Sequence, residues 1–334
     1  MEVSEYRKKI EEELRREPTR DERLREVLDQ STTTGSEGLE SASGDDIISA
    51  TISAALNGDE EPQVRVAALA GVSVEIGKDP ELVDAVLGLV ADRSEPAAVR
   101  RAALDVLRQN SFRTKLFAPK RADYLDMLRD IIDDPDLPLR FSAIDVLAAE
   151  KDEYVQRRLK EGLEDPSRAL VPPENALGFL GYDLHGDYYP LLREIIENPP
   201  NLASKREAAR LLGADAASAD VLVGLLRDKG EDPEVRNISA AALQAIAPDA
   251  FEDMAREIVL DDSEDDNLRA LGVTALDHFG DRERLGRDEE LNSRIDELGS
   301  RSRMEELESV SGGADSAPTE LERAATKFIS RRRR

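Results

Sequence analysis

The chain has 334 residues and carries 46 Lys+Arg against 72 Asp+Glu, a formal net charge of −26. It has no cysteine and two histidines, which excludes disulfides, thiolate metal sites and cysteine nucleophiles. The acidity argues against wholesale binding to nucleic acid or anionic membrane, because phosphate contacts need cations that most of this surface lacks. No signal peptide and no uncharged apolar run of 18 residues is visible, so the sequence predicts a cytoplasmic protein.

Two segments precede any regular pattern. Residues 1–29 are highly charged with sparse apolar positions, and they are predicted to form a charged N-terminal helical segment. Residues 30–44 are rich in Thr, Ser and Gly, a composition typical of a flexible linker.

A short pattern recurs seven times along residues 45–285. A basic residue is followed by small or apolar residues three and four positions later, and by an apolar residue after seven. The steps between copies are 31 to 40 residues, and the copies begin at Arg65, Arg100, Arg140, Pro173 (a degenerate copy), Lys205, Arg236 and Arg269. Only a periodic architecture repeats a pattern in this way.

Second amphipathic segments lie between the copies, for example residues 81–90, 124–132, 189–196 and 220–226. Their apolar residues fall at helical spacing, and acidic or Pro-bearing turns follow them. The repeating unit is therefore predicted to be a helical hairpin of about 33 residues, which must stack on its neighbours to bury its apolar faces.

The segment Asp232-Pro-Glu-Val-Arg236, followed by Ser239-Ala-Ala-Ala-Leu243, resembles the HEAT repeat, in particular its short prokaryotic form. The resemblance implies an all-α fold, a right-handed α-solenoid of about seven hairpins whose second helices line the concave face. It covers residues 45–285 and is specific for the fold. The family hosts scaffolds, assembly factors, chromophore-handling proteins, a hydroxylase and DNA-repair glycosylases, so it does not fix the function.

The repeated arginines are predicted to be structural, because one sits at the same place in most copies, close to the acidic turn before it. Asp59 and Asp134 each lie six residues ahead of the next repeat arginine. Such pairs are expected to tie each hairpin turn to its neighbour.

Enzyme functions lack the residues they need. There is no G-x-S-x-G elbow and no GxxxxGK[ST] loop. His185 precedes Gly186 and His278 precedes Phe279, so the His-Glu pairs of the HEAT-type hydroxylase are missing. The sequence therefore predicts a protein that is not an enzyme and that uses no cofactor or metal.

The resemblance also implies which side chains would line the concave face, namely those one, five and eight positions after the first residue of a copy. These candidates for partner binding are Arg101, Asp105, Arg108, Phe141, Asp145, Arg206, Arg210, Asn237 and Gln244.

The longest step between copies contains a basic insertion. Residues 108–121 carry five cations and no acid, a local reversal of sign in an acidic chain. This composition indicates a site for an acidic partner with aromatic anchors; the alternative is a long loop whose aromatics tuck beneath it. The insertion candidates besides Arg108 are Phe112, Arg113, Lys115, Phe117, Lys120 and Arg121.

The degenerate fourth copy is followed by a cluster of aromatic residues. Such a cluster could form a binding pocket or could fill the space where a regular helix is cut short. Its members are Phe179, Tyr182, His185, Tyr188 and Tyr189.

Residues 286–308 are predicted to form a C-terminal capping helix region, and residues 309–334 a linker and basic tail. The tail's apolar residues fall at helical spacing before Arg331, Arg332, Arg333 and Arg334. Two uses remain open: weak docking on a membrane surface or acidic partner, or intramolecular docking on the acidic residues 231–266.

The sequence thus favours a non-catalytic protein-binding scaffold or assembly adaptor, and the partner it suggests is a protein with an acidic segment. A nucleic-acid-binding or DNA-repair-type HEAT solenoid is the alternative, suggested by Arg101, Arg108, Arg206 and Arg210. A chromophore- or cofactor-handling lyase-like protein is the third, supported by the aromatic cluster.

Overall fold

The structure is a computed structural model that describes residues 43–310 and 319–332, except residue 184. The predicted N-terminal segment 1–29, most of the linker 30–44, residues 311–318, Arg333 and Arg334 lie outside the described residues. Every regular element in the described part of the chain is helical. The described residues divide into two compact units, unit 1 up to residue 158 and unit 2 from residue 159 onward.

Unit 1 holds eight helices among its described residues. They are α1 (Gly44–Leu56), α2 (Pro62–Gly71), α3 (Ser73–Ile76), α4 (Pro80–Ala91), α5 (Ala97–Ser111), α6 (Thr114–Phe117), α7 (Arg121–Asp130) and α8 (Leu137–Ala149). A 3-10 turn, Ala118–Lys120, joins α6 to α7, and α9 (Glu153–Glu164) runs from unit 1 into unit 2.

Unit 2 continues with α10 (Pro173–Leu180), α11 (Tyr189–Glu197), α12 (Leu202–Leu212), α13 (Ala219–Arg227), α14 (Pro233–Ile246), α15 (Pro248–Leu260), α16 (Asp266–Phe279), α17 (Arg282–Arg287), α18 (Glu289–Val310) and α19 (Glu320–Arg332). The 3-10 turns Pro166–Arg168 and Ala216–Ser218 precede α10 and α13.

The acidic and Pro-bearing turns start helices, as the sequence predicts. The side chain of Asp136 caps α8 by accepting from the Leu139 N–H, and that of Asp232 caps α14 by accepting from the Val235 N–H. A carboxylate at this position satisfies a free backbone donor and stabilises the positive end of the helix.

Each of the seven repeat copies begins within a helix, in α2, α5, α8, α10, α12, α14 and α16. In unit 1, α1 packs on α2, α4 on α5 and α7 on α8, while α5 also contacts α2 and α8. In unit 2, α11 packs on α12, α13 on α14 and α15 on α16, and α10, α12, α14 and α16 pack in succession. Within each unit the helices therefore form consecutive hairpins with stacked second helices.

The repeat arginines lie inside this stack. Arg100 is 4% exposed; its Nε donates to the Val90 carbonyl at 2.9 Å and a terminal nitrogen lies 2.7 Å from the Asp134 carboxylate. Arg236 likewise donates to the Leu226 carbonyl and to Glu264. Each guanidinium thus fastens the last turn of its own hairpin's first helix to the turn before the next copy.

The predicted acidic partner is therefore wrong by one repeat for Arg65, Arg100 and Arg236, whereas Arg269 does pair with Asp262 of the turn before it. The carboxylate of Asp134 pairs with Arg100, which precedes it by a whole hairpin, while Arg140 donates to the main-chain oxygen of Asp134. Arg65 follows the same rule and pairs with Glu95 at 2.6 Å. A guanidinium that points along the stack reaches the turn before the next copy. The spacing of residues along the chain does not show this contact.

The sequence leaves two uses open for the tail, and the described part of it, α19, is docked within unit 2. Helix α19 packs against α16 and α18 and buries one face, formed by Leu321, Ala325, Phe328 and Ile329. Docking is thus intramolecular, but the surface that receives α19 is α16 and α18 rather than the acidic residues 231–266. The helical spacing of its apolar residues gives α19 the stripe that this packing needs.

Candidate partner-binding surfaces

The basic insertion is helical rather than a long loop. Phe117, at the end of α6, is 2% exposed and packs edge-on against Tyr124, with ring centroids 5.3 Å apart. Phe112 is 84% exposed and Leu116 is 51% exposed. One of the two predicted aromatic anchors is therefore part of the core, and the other is open to solvent.

The five cations of the insertion also fall into two groups. Arg108 pairs with Asp145 at 3.2 Å, Lys120 with Asp84 at 2.5 Å, and Arg121 with Glu150. In the described part of the chain no such partner is found for Arg113 or Lys115. These two cations, together with Phe112 and Leu116, form what we call the basic-apolar patch.

The patch is held between two buried points. Asn110, 3% exposed, donates to the carbonyls of Ser73 and Val106, both at 2.9 Å, and so fixes the end of α5 to α3. This close approach depends on Gly77, since a Cβ there would lie 1.8 Å from the Asn110 side-chain oxygen. On the other side Phe117 anchors α6 in the core, so the exposed residues between the two points are pre-positioned.

In unit 1 the predicted concave-face arginines belong to ion pairs between α5 and the next hairpin. Arg101 lies 3.1 Å from Asp136, and Arg108 lies 3.2 Å from Asp145, another predicted site residue. Asp105 is exposed and Phe141 half-buried. The cations here are neutralised by carboxylates of the same unit.

The two predicted arginines of unit 2 are also paired with carboxylates. Arg206 lies 2.9 Å from Asp232, and Arg210 pairs with Glu207 within α12. Asn237 and Gln244 are half-buried on α14.

Sequence reasoning missed a groove along α12 and α14 in unit 2. Arg210 lies at its edge, while its walls are made of small and apolar residues: Gly181, Leu211, Gly213, Ala214, Ile238, Ala241, Ala242 and Ala245. The groove is shallow because these side chains are short. The run of alanines in α14 is the sequence feature that indicates this groove. Such a run is equally typical of ordinary close packing between helices.

The aromatic cluster packs internally. Tyr188 is 3% exposed, its hydroxyl donates to the Asp183 carbonyl at 2.8 Å, and its ring centroid lies 5.1 Å from that of Tyr189. Burial raises the pKa of the Tyr188 hydroxyl. Phe179 and Tyr182 lie 6.5 Å apart, and His185 is exposed.

The observed contacts favour the packing interpretation of this cluster. Gly186 is needed where the chain passes Tyr188, because a Cβ there would lie 2.6 Å from the ring.

The described arginines of the tail face carboxylates of unit 2. Arg331 lies 2.7 Å from Asp277, and Arg332 lies 2.9 Å from Asp296. Among the described residues, no helix combines the length and apolar character required to cross a membrane. The same part of the chain contains no group of three or more His, Asp or Glu side chains placed to hold a metal ion.

Comparison with known proteins places the chain in no family. No protein-family model matches the sequence, and no curated protein matches it. Among solved structures, YibA of Escherichia coli is similar over 88% of this chain and 98% of its own, with 15% identity and a TM-score of 0.46. This distant likeness assigns no function to the chain.

Proposed function

We propose that the chain is a HEAT-like, right-handed α-solenoid of about seven hairpins that serves in the cytoplasm as a non-catalytic protein-binding scaffold or adaptor. Support for the repeat comes from the seven copies that begin in helices and from the stacked second helices within each unit. The buried arginine pairs, which link successive turns, support it further. Stacked hairpins of this kind present extended surfaces for recognition.

The observation that carries the binding role is the exposure of Phe112 beside two cations without partners in the described residues. Apolar side chains in contact with solvent and flanked by charge are typical of recognition surfaces. The partner proposed for the basic-apolar patch is a protein segment that carries acidic residues around an apolar side chain. Coulombic attraction would speed its encounter, and burial of Phe112 would slow its dissociation.

The alternatives have less support. The arginines that suggested nucleic-acid binding are engaged with carboxylates, which leaves fewer charges to neutralise phosphates. In the aromatic cluster that suggested chromophore handling, Tyr188 is buried against Tyr189, and Phe179 contacts Tyr182, which is 49% exposed.

The test is site-specific photocrosslinking in the native cell, with a benzoylphenylalanine placed at residue 112. The matched control is the same group at Leu137, which is also exposed, at 53%, and lies in the same unit. We expect a protein adduct at 112 and none at 137. Failure to crosslink at 112, or an adduct with nucleic acid, would overturn the proposal.

The rates of association with the captured partner then show how much the charges of the patch contribute to binding, apart from the packing of Phe112. We expect Arg113→Ser with Lys115→Ser to slow association about tenfold at low salt, the scale of electrostatic steering, and the effect to fade as salt rises. Lys120→Ser with Arg121→Ser is the control, because both cations are already paired. Equal effects of the two double variants would mean that overall charge, not the patch, governs encounter.

A further inference from the structure

A cavity of about 300 Å³ lies in unit 2, at the place where α16, α17 and α19 meet, and it is open to solvent on one side. Its lining includes apolar side chains from all three helices, namely Leu276, Leu285 and Phe328, and three arginines, namely Arg282, Arg331 and Arg332. The cavity exists because α19 docks, since it supplies three of these six residues.

The charges around the cavity do not cancel. Arg331 is paired with Asp277, whose side chain is 7% exposed, and Arg332 is paired with Asp296. Arg282 lines the cavity too, yet no hydrogen bond or ion pair of its side chain is found within the described ranges. The cavity therefore combines apolar lining with one guanidinium, that of the exposed Arg282, that has no protein partner among the described residues.

We propose that this cavity binds a carboxylate attached to an apolar group. A guanidinium holds a carboxylate through two parallel N–H···O bonds, and Arg282 is the arginine that has this capacity to spare. The apolar group would lie on Leu276, Leu285 and Phe328, where removal of its surface from water stabilises the complex. The volume is at the lower end of the range for small-ligand sites, which favours a short chain.

The position of Asp277 determines how the ligand would be oriented in the cavity. Its carboxylate is directed to Arg331 and repels a second anion there, so the ligand's carboxylate is expected on the Arg282 side. Two sources offer this chemistry: a free short-chain carboxylic acid, and the C-terminus of a peptide that ends in an apolar residue. The proposal is independent of the basic-apolar patch, which lies in unit 1.

The experiment is calorimetric titration of the full chain with octanoate. Octanamide keeps the chain and removes the charge, and acetate keeps the charge and removes the chain. We expect saturable one-to-one binding of octanoate, with both comparison compounds at least about tenfold weaker. The tripeptide acetyl-Ala-Ala-Leu, as free acid and as amide, tests the second source. Either acid binding while its amide fails supports the proposal, and which acid binds identifies the source.

Variants tie the binding to this cavity. Arg282→Gln is expected to weaken octanoate about tenfold, the typical value of one charge-assisted interaction. Arg287→Gln is the control, since Arg287 lies on the same short helix, pairs with Glu283 and does not line the cavity. Gly286 lines the cavity and has open space where a Cβ would stand, so Gly286→Leu is expected to obstruct binding without disturbing the fold.

Several outcomes would overturn the proposal. They are the absence of saturable binding of both acids at millimolar concentration, amides that bind as well as their acids, and an Arg282→Gln variant that binds like the wild type. Thermal unfolding of each variant, measured beside the titrations, shows whether a loss of binding reflects a loss of folding.

Discussion

The basic insertion of unit 1 and the tail helix α19 of unit 2 look alike in sequence and behave differently in the structure. Each combines cations with apolar residues, and for each the sequence leaves both partner contact and internal packing open. In α19 the apolar face is buried, with Phe328 5% exposed, and Arg331 and Arg332 are paired. In the insertion Phe112 remains 84% exposed, beside two cations without partners in the described residues.

The difference lies in what the surrounding helices offer. Helices α16 and α18 provide α19 with an apolar surface and with carboxylates, Asp277 and Asp296, at its basic end. In the insertion Phe117 is buried against Tyr124, and three of the five cations are paired with carboxylates. The same composition therefore produces a packed helix in one place and an open patch in the other.

The largest expected effect tests whether the tail is part of the core. Phe328→Ala should lower the free energy of unfolding by about 3 kcal/mol, as large-to-small changes of buried Phe do. Phe112→Ala is the matched comparison and should stay within about 0.5 kcal/mol of the wild type, because its ring is in water already. Chemical denaturation measures both. Equal losses would remove the contrast between the two regions.

A second test divides the insertion itself. Phe117→Ala removes a buried ring and its edge-on contact with Tyr124, so a loss of about 3 kcal/mol is expected, reduced if α6 can settle into the space. The rate of partner dissociation should change little. A faster dissociation together with unchanged thermal stability would show instead that Phe117, and not Phe112, contacts the partner.

A third test uses pH on the buried pair that fixes α5, the helix leading into the insertion. Burial raises the pKa of Asp134, but hydrogen bonds from Arg100 and from the Asp136 backbone N–H outweigh it and hold the pKa below its ordinary 3.8. Because the pKa of Asp134 is lower in the folded state than in the unfolded state, the ionised carboxylate stabilises the fold at every pH above its unfolded-state pKa. This stabilisation is lost as the pH falls through the folded-state pKa.

Asp134→Asn should therefore reduce the free energy of unfolding at pH 7 by about 2 kcal/mol, the scale of a hydrogen bond to a charged group. The difference from the wild type should shrink as the pH falls below about 4, first because Asp134 protonates in the unfolded state and then, at lower pH, because it protonates in the folded state as well. Urea denaturation at several pH values measures this. A difference that does not vary with pH would show that the charge of Asp134 contributes nothing.

The helices were predictable because their signals are local. Pro and Asp mark the turns, and the spacing of apolar residues marks the buried faces, so that α8 begins after Asp136 and α14 after Asp232. The structural role of the repeat arginines was predictable from their recurrence. Their partners were not, because spacing along the chain does not show that a guanidinium reaches the turn of the next repeat.

The candidate sites were less predictable, because burial at a given position depends on distant residues. Nothing in the local sequence predicts that Phe117 is buried and Phe112 exposed. Their burial depends on the packing of Phe117 against Tyr124 and on the hydrogen bond from Asn110 to Ser73. The cavity of unit 2 joins Leu276, Arg282 and Phe328 from three helices, a combination that no spacing along the chain suggests.

The smallest expected effect concerns the basic end of α19. Arg331→Gln with Arg332→Gln should change the free energy of unfolding by less than about 1 kcal/mol, because partly exposed ion pairs contribute little. The variant should also bind anionic vesicles as weakly as the wild type, since the face that would enter a lipid surface is buried on α16 and α18. Vesicle co-sedimentation is the measurement. Arg287→Gln is the control, because it removes a positive charge from unit 2 outside α19. Wild-type binding that the double variant abolishes and Arg287→Gln leaves intact would instead show that α19 leaves its site and acts at membranes.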